Sequence, residues 1–543
     1  MYQCPNCNGN LKFNIKRQRM LCEHCNSTFN PNQFGDGEGA KQSEIEVTVF
    51  TCPQCAGELF TTDNEMAGFC TFCGSATVME SRIANEKRPD YIIPFQQTKD
   101  DCKEAYLKLM KNAFFVPKAL KSPEYIEGFR GIYMPYWIYD VKQEGELNLS
   151  GKRTTVDDDY LTISHYKFDG KLSSKYEGIA YDGSSALSDT LSRKLMPYKM
   201  NSLREFSPAY LSGFYADAAD LEADVYEEDV KALTDKRTGE YVKNYYGFDS
   251  YTIDTKDDAI VEQLGTTIAK KSQAMLPIWF VSYRNKDWVA YATVNGQTGK
   301  VVADLPVDVK KYLLYTILLA VPIYTVLDLV ESVQAITPVF LVQIILVLSA
   351  MVALLYDAKV KQIVKREKLA DDKGAIVAKQ RQENTKIKKR KKKKSRLKRR
   401  KTWAIEAIIT GIILAGTFLY VLAPVIEEEV LPLLEELPYQ QMWEVLVLFA
   451  GALTIIVSLV SLIRSIGLKL WRFFPTPFLS LVAAIIAIGI IVLQPVLNVS
   501  YYIGALLLGG ALIYTMIDLI KRYNIFATRR LPQFERRGGD GNA

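Results

Sequence analysis

The chain has 543 residues, 48% of them hydrophobic, and a formal net charge of +6, too long for one domain. The charge is not spread: residues 357–402 carry +16 and the remainder −10, which excludes a generally basic protein. The averages also hide a division near residue 310, beyond which apolar stretches of membrane-spanning length begin.

In chain order the first feature is a duplicated cysteine pattern. Cys4, Cys7, Cys22 and Cys25, then Cys52, Cys55, Cys70 and Cys73, both read C-x2-C-x14-C-x2-C, with the copies 48 residues apart. Paired C-x2-C turns from two hairpins suit tetrahedral zinc held by four thiolates. This predicts a β zinc ribbon at residues 1–34, a Gly-rich polar linker at 35–48 and a second ribbon at 49–80, with two zinc ions. Proline in CPNC and CPQC presets the knuckle turn, and the residue after each pair's second cysteine needs a left-handed backbone. Asn8, Asn26 and Gly74 tolerate that; Ala56 is less comfortable. A redox C-x2-C pair would need a βαβ context, and disulfides an oxidising compartment. His24 lies inside a knuckle whose four cysteines already fill the shell. A ribbon of about 25 residues cannot bury enough core to fold alone, so the metal supplies folding free energy and leaves no open position for catalysis. The ninth cysteine, Cys102, falls in an apparent helix and reads as a small buried residue.

Residues 88–309 read as a cytosolic α+β domain. Asp100–Phe114 has helical spacing, and Tyr133–Ile179 alternates between Gly-bounded turns, as a β-meander does. Ser184–Leu195 and Glu205–Ala219 suggest helices. Met275–Asp304 is the clearest β segment, with a turn at Arg284–Asp287 and a hairpin turn at Asn295-Gly296. Met134-Pro135-Tyr136-Trp137 and Leu276-Pro277-Ile278-Trp279 repeat one element, which points to an internal duplication. No phosphate loop, nucleophile elbow or dinucleotide fingerprint occurs at a strand-to-helix turn. His165 is isolated in the β segment, and Asp157, Asp158 and Asp159 are consecutive acids of the kind that face solvent. The expectation is a non-enzymatic protein with no catalytic residues.

Six apolar stretches follow: Tyr312–Val330, Pro338–Tyr356, Trp403–Ile426, Val445–Ile463, Phe478–Leu497 and Tyr501–Ile520. They divide the C-terminal part into a transmembrane hairpin at 310–356, a polybasic loop at 357–402, spans three to six at 403–520 and a tail at 521–543. No cleavable signal peptide is expected, because the first residues are polar and cysteine-rich. Loop charge alternates. Lys310 and Lys311 precede the first span, the 357–402 loop holds 21 Lys or Arg, and Arg464, Lys469 and Arg472 follow the fourth span. The Glu331–Thr337 and Glu427–Glu444 loops hold no basic residue. The positive-inside rule then puts both termini in the cytoplasm of a multi-pass cell-membrane protein. Asp328, Glu406 and Asp518 lie near span ends, where they can reach an interface, so an anchoring bundle is favoured over transport.

The polybasic run comprises Lys388, Lys389, Arg390, Lys391, Lys392, Lys393, Lys394, Arg396, Lys398, Arg399, Arg400 and Lys401. It reads as an anionic-lipid contact. No aromatic residue is interleaved from Asp357 to Thr402, so stacking platforms for single strands are missing. The alternative is a membrane-tethered nucleic-acid binder gripping phosphate with ribbons and loop. Against it, the first ribbon carries Lys12, Lys16, Arg17 and Arg19, whereas the second carries Glu58, Asp63 and Glu65. Nucleic acid is therefore not expected as a partner.

The CPNC/CEHC and CPQC/CTFC knuckles, the Pro-Tyr-Trp element at 135–137, FSPAYLSGFYAD at Phe206–Asp217, and LPIWF with NGQTGKVVADLP within Leu276–Pro306 together carry a resemblance. The chain resembles bacterial integral membrane proteins with an N-terminal transcription-factor-IIB-type zinc ribbon. The resemblance covers most of residues 1–310 and continues into the first two spans. It implies a membrane anchor in an envelope-stress assembly, with SPFH-domain (flotillin-like) or phage-shock-protein-A-like partners. A helicase label sometimes attached to such proteins does not fit a chain without a P-loop.

Overall fold

The computed structural model describes residues 2–34, 44–61, 70–77, 79–157, 160–247, 251–316, 338–367, 372–374, 439–467 and 473–530, with a few isolated positions besides. The chain divides into two compact units. One comprises Met1–Leu305, Leu369–Gln382 and Thr528–Ala543; the other comprises Pro306–Lys368 and Glu383–Ala527.

The first unit is α+β. A three-stranded antiparallel sheet of Leu11–Asn14, Arg19–Cys22 and Thr28–Phe29 forms the first ribbon. The other named strands join one 13-stranded sheet. Its spine is a hairpin of Arg130–Asp157 and Tyr160–Asp182, with Gly265–Asn285 antiparallel to the first of these. The expected β-meander is therefore one long hairpin. Two of its glycines, Gly145 and Gly151, do not turn the chain; they admit neighbours. A Cβ on Gly145 would lie 2.2 Å from the Gln263 carbonyl oxygen, and one on Gly151 would lie 2.9 Å from that of Thr252.

Two helices match their expected positions. Lys99–Lys111 starts at Thr98, whose hydroxyl and Asp101 form a reciprocal capping box, and Asp189–Leu195 forms the end of the expected Ser184–Leu195 helix. The expected helix at Glu205–Ala219 is absent. Pro208 opens a single 3-10 turn to Leu211, and Gly213 at φ +89° ends any continuation. The Asn295-Gly296 hairpin also differs. The Asn295 side chain accepts from the Gln297 and Thr298 backbone N–H groups, and the left-handed residue is Gly299 at φ +75°. Gly296 is instead needed for space, since a Cβ there would meet the Phe95 ring at 2.6 Å.

The second ribbon is not a separate module. Glu44–Thr51 is a strand, so the expected 35–48 linker gives way to sheet at Glu44. That strand pairs with Glu58–Thr61 and with Glu80–Lys87 inside the large sheet. Ile45, Val47 and Val49 alternate inward against outward Glu44 and Glu46, a period-two pattern the polar composition concealed.

The two Pro-x-Trp elements lie side by side. Met134 faces Leu276 across the antiparallel pair, so a local two-fold axis through that pair exchanges the elements. Each indole N–H donates to a loop carbonyl, Trp137 to Leu221 at 2.8 Å and Trp279 to Gln97 at 2.9 Å. This symmetry is what an internal duplication would leave.

The second unit is helical. Among the described residues, four helices are long and apolar enough to cross a membrane: Pro338–Val364, Trp443–Ile466, Pro475–Leu493 and Asn498–Ile525. These correspond to the second, fourth, fifth and sixth predicted spans. The third, Trp403–Ile426, lies outside the described residues, as does the first, Tyr312–Val330, beyond residues 312–316 and 318. The fifth ends at Leu493 rather than Leu497, because Gln494 turns left-handed at φ 43° before Pro495. Small residues line the inside, with Ala483, Ala484, Ala487, Ala505 and Ala511 buried, while Leu, Ile and Val are among the residues facing outward. This is the packing expected where lipid is the solvent. Polar contacts cross between helices, from the Trp443 indole to Gln343 at 2.8 Å and from Arg464 to Asp357. Asp518, expected to reach an interface, is instead 7% exposed and held inside the bundle.

Candidate metal centres

The eight predicted ligands form two groups, Cys4–Cys7–Cys22–Cys25 and Cys52–Cys55–Cys70–Cys73, each with its sulfurs within 4.8 Å of one another. All four knuckles share one backbone geometry. The N–H of the residue four after the leading cysteine returns to that cysteine's carbonyl, as in Asn8 to Cys4, Asn26 to Cys22, Ala56 to Cys52 and Gly74 to Cys70. The leading cysteine's N–H in turn bonds the carbonyl one residue further on, at Gly9, Ser27, Gly57 and Ser75. This closure requires a left-handed residue, and Asn8, Asn26, Ala56 and Gly74 have φ of 55°, 58°, 55° and 68°.

Ala56 is the one that carries a steric cost, about 1–2 kcal/mol for an L-residue in this conformation. Ala56→Gly should therefore stabilise the unit by about 0.5–1 kcal/mol after the extra unfolded-state entropy of glycine is subtracted. A raised midpoint in chemical unfolding of the full chain checks it; a lowered one contradicts the assignment of strain.

The donor sets fit zinc. A tetrahedral ion with bonds of about 2.3 Å places its sulfurs about 3.8 Å apart. The closest recorded pairs are Cys4–Cys25 at 3.6 Å, Cys7–Cys22 at 3.4 Å, Cys52–Cys73 at 3.8 Å and Cys55–Cys70 at 3.7 Å. Each group can hold one ion with all four positions filled by protein. A hydroxyl attends the last cysteine of each, Ser27 Oγ 3.2 Å from Cys25 and Ser75 Oγ 2.9 Å from Cys73. His24 is exposed, with its Cβ against the space beside Gly9.

The groups differ in setting. The second shares a core with Phe72, Ile132, Phe280, Val289 and Tyr291, and all four cysteines are buried. The first has Cys4 and Cys22 buried, Cys7 half-buried and Cys25 exposed. Its ribbon docks on the 206–214 loop. The Phe13 and Tyr210 rings meet edge to face at 5.2 Å, the Ser212 hydroxyl donates to the Leu11 carbonyl at 2.8 Å, and the Ser207 hydroxyl donates to that of Pro31 at 3.1 Å. On the far side, Gln18 Nε2 donates to the Phe95 carbonyl at 2.6 Å.

A second polar centre was not legible in the sequence. Asp182 faces Tyr136 in the hairpin and is 1% exposed; burial, with the Asp189 charge adding to it, holds its carboxyl well above the usual carboxylate range. Asp189 accepts from the Tyr226 hydroxyl at 2.9 Å and from the Lys373 backbone N–H at 3.0 Å. The Lys373 ammonium reaches Asp229 at 2.5 Å, and Val377 packs beside Tyr139, Leu221 and Tyr226. The acids singled out earlier end elsewhere: Asp157 is at the hairpin tip, and Asp158 and Asp159 lie outside the described residues. His165 is exposed opposite Lys152 on the outer hairpin. The polybasic residues Lys388 to Lys401 also lie outside the described residues.

No family model and no solved structure matches the chain. It is similar to the uncharacterized protein YdjG of Bacillus subtilis (strain 168), 26% identical over 315 residues that span 56% of this chain and 90% of YdjG. The rest of this chain lies outside that match.

Proposed function

We propose that the chain is a non-enzymatic, multi-pass membrane scaffold whose α+β unit, stapled by two structural zinc ions, docks partner proteins at the cytoplasmic face. The observation that carries this is where the chain returns after its membrane helices. Lys373, Gly374 and Val377 follow one such helix, and Arg529–Arg530 follow another; both segments are built into the unit that holds the cysteine groups. Arg529–Arg530 adds a strand to Trp288–Asn295, and the Arg529 guanidinium bonds the Ser188 hydroxyl at 2.6 Å while lying 5.1 Å from the Tyr291 ring centroid.

Segments built into one unit share its side of a membrane. The crossings between Leu305 and Lys373, and between Val377 and Arg529, must each be even in number. The candidate spans described there number one and three. Adding Tyr312–Val330 and Trp403–Ile426 makes them two and four, which supports six crossings with both termini on one side. Loop charge selects the cytoplasm as that side. The run from Lys388 to Lys401 then faces the inner leaflet and holds anionic lipid.

Topology is checked with single reporter cysteines. One between Glu427 and Glu444 should react with an impermeant reagent in intact cells, and one at Lys373 only after lysis; the reverse pattern refutes the orientation. Partner docking is checked by affinity capture from detergent-solubilised membranes, half of it treated with nuclease. Retention of an SPFH-domain or phage-shock-type protein in both halves is expected. Partners lost on digestion would transfer the case to nucleic-acid binding.

A further inference from the structure

The two cysteine groups share spacing, knuckle geometry and an attendant serine, yet differ in access to solvent. In the second, Cys52, Cys55, Cys70 and Cys73 are each 0–1% exposed beneath aromatic side chains. In the first, Cys25 is exposed and Cys7 half-buried, while Cys4 and Cys22 remain in the core. Oxidants reach thiolates only where solvent does, so identical ligand sets in these two settings react at different rates.

The first group is also the keystone of a docking contact. Cys4 and Cys22 belong to the same core as Phe13, Tyr210, Leu211 and Phe214. A ribbon this small does not persist without its ion. Loss of that ion therefore frees the 206–214 loop, which the ribbon otherwise covers through Phe13, Leu11 and Pro31.

We propose that the first cysteine group is a redox-sensitive zinc clasp, opened by peroxide, while the second stays closed and keeps the unit folded. The inference rests on the zinc reading above. The Cys25 thiolate attacks the peroxide O–O bond, takes one oxygen as a sulfenic acid and expels hydroxide. A neighbouring thiolate, with Cys4 Sγ at 3.6 Å, then attacks that sulfur, forming the S–S bond and expelling the second hydroxide. Two thiolates lose two electrons, one peroxide gains them, and two protons complete two waters. With two thiolates taken into the disulfide, the remaining pair would no longer hold an ion, and the 206–214 loop with Tyr210 and Leu211 would lose the ribbon that covers it.

The test uses the full chain in detergent, its zinc content measured first, then hydrogen peroxide with a chromophoric zinc chelator present. One zinc per chain should leave roughly tenfold or more faster than the other. Alkylation mapping at that point should show Cys25 and one partner, Cys4 foremost, converted to a disulfide, while Cys52, Cys55, Cys70, Cys73 and the buried Cys102 keep their thiols. Ser27→Ala removes the hydroxyl beside Cys25 and should quicken the first phase; Ser75→Ala should leave that phase unchanged. Two zinc ions lost at one rate, or the second group oxidised first, overturns the clasp alone. A first group that holds no zinc before oxidant overturns the zinc reading and the clasp with it. An unaltered first phase in Ser27→Ala overturns Cys25 as the point of attack.

Discussion

Cys70→Ser should leave the α+β unit unfolded. Structural zinc contributes an apparent 10–16 kcal/mol or so in isolated ribbons at neutral pH, against about 5–15 kcal/mol for the total stability of a domain. Cys70 is 0% exposed and lies in the core that holds Ile132, Leu276, Ile278 and Phe280, residues of the two central strands. Losing one ligand there releases the ion and leaves three thiols in an apolar environment. The strands Glu44–Thr51 and Glu58–Thr61 flank the Cys52–Cys55 knuckle of the same group, so the damage spreads along the ladder. Near-ultraviolet circular dichroism of the full chain in detergent should lose its aromatic signal and cooperative thermal transition. Cys25→Ser, at the exposed group, should cost less. Equal effects of the two substitutions would contradict the picture of one core centre and one peripheral centre.

Asp518→Ala should destabilise the helical unit by about 3–5 kcal/mol, the usual cost of removing one partner from a buried ion pair. Asp518 is held by Arg522 at 3.0 Å, by the Tyr356 hydroxyl at 3.0 Å and by the Thr476 hydroxyl at 2.7 Å, so one carboxylate ties three helices. Alanine takes the carboxylate away from the Arg522 guanidinium, which is only 12% exposed and 4.6 Å from the Phe473 ring centroid. Removing both charges in Asp518→Leu/Arg522→Leu should restore most of the loss, since the penalty comes from removing one side of a buried ion pair. Thermal unfolding followed by size-exclusion chromatography separates the outcomes. A double variant no better than the single one would mean that the hydroxyl contacts, not the ion pair, carry the stability.

The two cysteine groups that could hold metal were legible in the sequence because their chemistry is local. A C-x2-C knuckle is defined within six residues, and its demand for a left-handed position falls on residues that can be named in advance, Ala56 included. What the ribbons rest on was not legible, because Phe13 meets Tyr210, and Glu58–Thr61 meets Ala216, only through long-range pairing. Glycine misled in the hairpin: Gly145 and Gly151 look like turn residues in a list of letters, and only the neighbouring carbonyls reveal them as sites of close approach. The 205–219 segment carries apolar residues in helical density, yet Pro208 and Gly213 break it, and its side chains are spent on gripping the first ribbon. Asp518 was misplaced for a related reason. Hydropathy locates a charge along a helix but not around it, and the side facing Tyr356 and Thr476 is set by packing.

The return of Arg529–Arg530 to the strand Trp288–Asn295 has a consequence for how the molecule is made. Synthesis delivers the cysteine groups and both central strands first, then the apolar helices, and Arg529 and Arg530 only after the helix Asn498–Ala527. The α+β unit cannot complete its sheet edge, or seat a guanidinium over Tyr291, before then. Completion of this sheet edge thus waits on the helix Asn498–Ala527. A chain stalled or truncated within the helix Asn498–Ala527 would present an unclosed strand edge, a template for pairing with another chain.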